Sequence, residues 1–149
     1  MACKAPVRTC CERTRPGDAL RIGGVEGSVF EIVGEAGFDR LTKAFYDRVP
    51  ADEILGPMYP DGQYEQARVR LRDFLVGRFG GPQRYIEMRG HPRLRMRHMP
   101  FAIDISARNR WVELMTEALD EVGFPATVTD VLLRYFADTA TFMINRAEA

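Results

Sequence analysis

Apolar residues recur every three or four positions through most of the chain after residue 28, and no segment alternates convincingly with period two. That pattern predicts an all-α fold. Ser28, with Glu31 three residues on, makes a capping box ahead of Val29, Ile32 and Val33, and Gly34 and Gly37 then break this short first helix. A second helix is expected over Phe38 to Val49, where Phe38, Leu41, Phe45 and Val49 share a face and Pro50 stops the run. The third spans Gln63 to Phe79, carries Tyr64, Ala67, Leu71, Phe74, Leu75 and Phe79 on one side, and is closed by Gly80, Gly81 and Pro82. A basic loop follows, then a short helix that starts near Pro92 and is ended by Pro100. Ser106 opens the clearest helix, with Trp111, Leu114, Met115, Ala118, Leu119 and Val122 on one stripe and Gly123 as its stop. Thr127 or Thr129 opens the last, whose inner side carries Val131, Leu132, Tyr135, Phe136, Thr139, Phe142 and Met143.

The pattern also divides the chain. Residues 1–27 combine Pro6, Pro16, Gly17, Gly23, Gly24 and Gly27 with scattered charge and no period, which reads as a mobile extension ahead of one domain over 28–149. Cys3, Cys10 and Cys11 all fall in that extension, and two adjacent thiols with one distant partner do not make a zinc spacing. The expectation is a reduced, cytoplasmic chain with incidental thiols. No apolar run reaches the roughly 20 residues of a membrane helix, and no apolar stretch of a secretory leader follows the N-terminus.

Charge sharpens the picture locally. The totals balance, 21 basic against 21 acidic residues, so no overall field draws in nucleic acid. The distribution is uneven: seven arginines lie between Arg84 and Arg110 against only Glu87 and Asp104. Both histidines sit in that stretch, in "GHPRLRMRHMPFAI", with Arg93, Arg95 and Arg97 between them. Gly90 and Pro92 leave His91 outside the short helix and His98 on it. The neighbouring arginines raise the electrostatic cost of a free divalent cation. Two readings stay open on the residues alone. His98 is an ordinary boundary histidine beside a solvated basic face, or it serves a flat apolar ligand with carboxylates, held by the arginines and by Met99, Phe101 and Ile103. A porphyrin with two propionates has that shape.

Four segments carry a resemblance that decides between them. "AFYDRVPADEILGPMYP", "LRDFLVGRFGGPQRY", "RGHPRLRMRHMPFAI" and "RNRWVELM", in that order and spacing, resemble the truncated haemoglobins of the second group. The resemblance implies a two-over-two helical sandwich around haem b (iron protoporphyrin IX). It makes His98 the iron ligand, and Tyr46, Tyr59 and Trp111 the distal residues that meet a gas. Ala67 stands where the conventional distal histidine would be, one turn before Leu71, so hydrogen bonding falls to the tyrosines and the tryptophan. For the haem propionates, Arg97, Arg70, Tyr85 and His91 are the polar choices. Leu71, Phe74, Leu94, Phe101 and Ile103 are expected to contact the macrocycle. The family's paired glycines between the first two helices appear here as "VGEAG".

Two functions follow from such a pocket. The first is reversible binding of dioxygen, with carbon monoxide and nitric oxide as further ligands, for oxygen binding, transport or gas handling. The second is redox catalysis, as a nitric oxide dioxygenase or a weak peroxidase. Turnover needs a reductase, and the chain has no nucleotide- or flavin-binding motif, so that reductase would be a separate partner. A third reading, an arginine-rich module on nucleic acid, predicts salt-sensitive binding and no haem. Neither a nucleic-acid nor a membrane partner is expected. The sequence leaves the oligomeric state open, a homodimer included.

Overall fold

The computed structural model describes residues 29–147. The extension with its three cysteines and the capping serine Ser28 lie outside those residues. Six helices are described: α1 (Val29–Arg48), α2 (Tyr64–Arg78), α3 (Arg84–Arg89), α4 (Leu94–His98), α5 (Ile105–Val122) and α6 (Ala126–Met143). Three single 3-10 turns, at Val49–Ala51, Gly56–Met58 and Pro60–Gly62, lead from α1 to α2. Helix α1 packs on α2 and α5, and α5 packs on α6. The α1–α2 pair thus lies over the α5–α6 pair, the two-over-two arrangement, with no strand among the described residues.

The expected stripes are the ones buried. Phe38, Leu41, Phe45 and Val49 of the first layer are wholly inaccessible, as are Leu75 and Phe79 of α2. Leu114, Met115, Ala118 and Leu119 close on them from α5, and Leu132 and Phe136 from α6. Phe142 departs from its expected place, being 61% exposed. Six residues after Phe136, it has turned about 120° away from the buried stripe of α6.

Several boundaries also differ from the sequence pattern. The first two expected helices form one span, kinked at Gly34 alone; Gly37 is helical and buried. The basic loop after α2 contains α3, which is too short to show a period and is anchored by buried Tyr85. Helix α4 starts at Leu94, after Arg93 in the left-handed region with φ 42°. Asp104, not Ser106, caps α5: its carboxylate accepts the Ala107 N–H at 2.8 Å, where an anion also suits the positive helix end. Helix α6 begins at Ala126 behind Pro125, ahead of both threonines. No helix among the described residues is long and apolar enough to cross a membrane.

Gly34 makes the kink with φ 65° and ψ 179°, a region that side chains other than glycine's hydrogen rarely enter. A Cβ there would meet nothing within 4 Å, so backbone strain is the whole cost of adding one. Gly34→Ala is expected to remove about 1–3 kcal/mol, read as a lowered urea midpoint at unchanged slope.

Candidate functional site

Between the two layers lies a cavity of about 220 Å³. Its walls come from four places. Helix α1 and the turns after it supply Tyr46, Leu55, Met58 and Tyr59; α2 supplies Leu71, Phe74 and Leu75. Helix α4 and the loop behind it contribute Leu94, His98, Phe101 and Ile103. The α5–α6 layer adds Ala107, Arg108, Trp111, Tyr135, Phe136, Thr139, Ala140 and Met143. Most of these surfaces are hydrocarbon, so the space favours an apolar body with a few polar contacts.

His98 is half-buried, and its Nδ1 lies 2.6 Å from the carbonyl oxygen of Leu94. A carbonyl only accepts, so Nδ1 carries the proton and Nε2 keeps its lone pair. One helical turn thus fixes the tautomer of a cavity-lining imidazole and leaves Nε2 free to act as a donor to a metal.

The short helix behind that histidine is tied from outside. Arg97 donates to Pro92 O at 2.8 Å and Arg89 O at 2.7 Å, pinning α4 to the end of α3. Asn145, just past α6, donates to Phe101 O at 2.9 Å and His98 O at 3.2 Å while its own carbonyl accepts Ile103 N–H at 3.0 Å. Arg95 reaches the carbonyls of Phe142 and Ile144.

Elsewhere in the cavity wall, the Tyr46 and Tyr59 hydroxyls are 3.3 Å apart, with their rings edge to face at 5.6 Å. Burial, then the neighbouring Tyr59, pushes Tyr46 well above the usual phenol value; burial raises Tyr59 as well. Both therefore stay neutral O–H donors near pH 7. Trp111 is wedged between Phe45 (5.3 Å) and Phe136 (5.5 Å), and no described group accepts from its indole N–H.

Asp52 holds the segment that carries Tyr59. Its Oδ1 accepts from Ile54 N at 3.0 Å and Leu55 N at 2.8 Å, and its Oδ2 accepts from Arg110 Nε on α5, next to Trp111. Burial alone would raise this carboxyl, but the Leu55 N–H, the Arg110 guanidinium and the Ile54 N–H outweigh it and hold it below the ordinary aspartate value.

Nine of the residues expected at a site from the sequence lie together on this cavity: Tyr46, Tyr59, Leu71, Phe74, Leu94, His98, Phe101, Ile103 and Trp111. Five others do not line it. Ala67 is half-buried against the core, one turn before Leu71. Tyr85 packs edge-on to Phe74 at 5.5 Å, behind the wall. His91 is exposed, its Nδ1 accepting the Arg93 N–H at 3.1 Å, and so it braces the start of α4. Arg97 spends its guanidinium on the loop carbonyls just described. Arg70 is exposed on α2.

The sequence reading missed several wall residues. Tyr135, Phe136, Thr139 and Met143 were visible as the inner side of α6 but carried no chemical signal. Leu55 and Met58 sit in turns without periodicity. Arg108 lines the cavity while its guanidinium donates to Thr141 Oγ1 at 3.1 Å and Ala137 O at 3.3 Å, joining α5 to α6.

Comparison with known proteins gives this site its context. Residues 28–145 match the bacterial-like globin family. The chain belongs to the bacterial-like globins. A curated relative of this globin, the group 2 truncated hemoglobin YjbI of Bacillus subtilis, is 37% identical over 120 residues, covering 80% of this chain and 90% of the relative. The solved hemoglobin of Chloroflexus aurantiacus superposes with a TM-score of 0.76 at 44% identity, over 79% of this chain and 98% of that one. A truncated oxygen-avid haemoglobin from Bacillus subtilis gives 0.74 at 36% identity, over 78% and 98%. The globin is thus a truncated haemoglobin of the second group, and its family implies a haem cofactor.

Asp52 yields a test by pH. A carboxyl held low in the fold adds stability above its unfolded value, about 3.9, and loses it as pH falls through the folded value. Asp52→Asn keeps an acceptor for the two N–H groups but not the charge, so its stability is expected to fall less steeply than the parent's below about pH 4. Asp52→Ala, which strands both N–H groups, is expected to cost about 1–3 kcal/mol at pH 7 in urea denaturation.

Proposed function

We propose that this globin holds haem b through His98, which would ligate the iron, and binds dioxygen reversibly, with carbon monoxide and nitric oxide as further ligands. The observation that carries the reading is the cavity-lining imidazole whose Nδ1–H is spent on Leu94 O, so that Nε2 is free. The rest of the donor set fits a haem: apolar walls for a flat macrocycle, and neutral O–H and N–H donors elsewhere on the same cavity. When bound, haem supplies an iron that takes a diatomic gas.

The chain's own residues then do the discriminating. Tyr46, Tyr59 and Trp111 offer hydrogen bonds inside an apolar enclosure, where each is stronger than in water. They favour a ligand that gathers negative charge, dioxygen, over carbon monoxide, which gathers little. The same enclosure, built by Leu55, Met58, Phe74 and Phe136, keeps water from competing for those donors. Arg70, exposed beside Leu71, is the proposed partner of a haem propionate, since the guanidinium of Arg97 is already engaged with Pro92 O and Arg89 O. One relative's description as oxygen-avid supports the same preference.

His98→Ala is expected to abolish the Soret band of a histidine-ligated haem while the helical circular dichroism stays. A parental spectrum in that variant would overturn the assignment. Trp111→Phe is expected to lose roughly 1.5–3 kcal/mol of hydrogen bonding to dioxygen and to speed its release about ten-fold or more, measured by stopped-flow displacement.

A further inference from the structure

The arginine run separates into two sets once partners are assigned. Arg84 lies 2.6 Å from Glu35, and Arg110 pairs with Asp52 and Glu113. Arg108 joins α5 to α6 through Thr141 and Ala137 and has no carboxylate partner, nor do Arg89, Arg93, Arg95 and Arg97 among the described residues, where Arg89, Arg95 and Arg97 meet carbonyls and rings. Glu87 is the one acid between Arg84 and Arg97, so residues 87–97 carry four positive charges against one negative. Interleaved with them are exposed apolar side chains: Met88 at 81%, Met96 at 57% and Met99 at 47%. Arg93 is itself exposed and held at φ 42°, where glycine would sit without strain.

This surface backs directly onto the cavity. Leu94 and His98 of α4 line it, while Arg95 and Met96 of the same helix are exposed. A protein seated there is separated from the cavity by about one helix diameter, ~10–12 Å. We propose that the exposed face of α3 and α4 is the docking site for an acidic single-electron flavoprotein carrier, which returns oxidised haem iron to the ferrous state. The carrier loses one electron, the iron goes from ferric to ferrous, and no bond is made or broken. The inference rests on haem filling the cavity. Its chemical motive is that this chain has no flavin- or nucleotide-binding motif of its own. Unpaired arginines around soft apolar methionines suit a small, transient, electrostatically steered contact. They suit nucleic acid less well, because exposed methionines give bases nothing to stack on.

The test uses the full haem-loaded chain with reduced flavodoxin as the probe, following the ferric-to-ferrous Soret change by stopped flow. The parental rate is expected to fall about ten-fold as salt rises from about 20 to 200 mM. Arg89→Glu with Arg93→Glu is expected to lose about ten-fold at low salt, and Arg89→Gln with Arg93→Gln about three-fold. Reduction by dithionite and the Soret position should not change in either variant. A second readout needs no electron transfer: oxidised flavodoxin added to the parent should shift backbone amide resonances within residues 86–99. Parental rates in both variants, amide shifts elsewhere, or equally tight binding of single-stranded DNA would each overturn the docking face. Absence of any Soret band in the parent would instead overturn the haem reading, whatever the amide shifts show.

Discussion

A helix of five residues closes barely one turn, and the backbone order it demands is not repaid by its own hydrogen bonds. Yet α4 carries His98. Its geometry depends on ties from outside: Arg97 to the end of α3, Asn145 to the carbonyls of His98 and Phe101, and Arg95 to the end of α6. Those ties let a single turn hold an imidazole in one tautomer, and much of the surrounding chain is arranged to supply them.

The other cavity wall is held by a different means. Aromatic packing around Phe45, Tyr46, Trp111 and Phe136 sets the positions of the polar donors, and burial keeps the two phenols protonated. Asp52 joins the turns carrying Tyr59 to the helix carrying Trp111 through Arg110. The donors thus come from separate segments whose relative positions are fixed by one buried carboxylate and a layer of rings.

The long helices were legible because their apolar stripes face a single core; Phe38, Leu41 and Phe45 are as buried as their spacing required. Boundaries were less so. Asp104, Ser106, Thr127 and Thr129 all have capping chemistry, and only tertiary packing selects among them or, at α6, passes over both threonines. Helix α3 escaped notice because six residues cannot display a period. At the site, the cavity residues carried by recognisable segments come together, whereas none of the four polar residues expected at a propionate lines the cavity. Arg97, Tyr85 and His91 have polar groups suited to a propionate, but their nearer partners are local: loop carbonyls for Arg97, the Phe74 ring for Tyr85 and the Arg93 N–H for His91. Asn145 gave no signal at all, since its work is to bond backbone atoms more than forty residues away.

That distance has a practical side. Asn145 follows the last helix, where a chain is usually trimmed or joined to a label without regard for function. In this globin the residue just past α6 is a clasp on the cavity wall. Shortening the chain to Met143 would leave every described helix intact on paper and still unfasten the loop from Phe101 to Ile103, so a label or fusion belongs after Asn145.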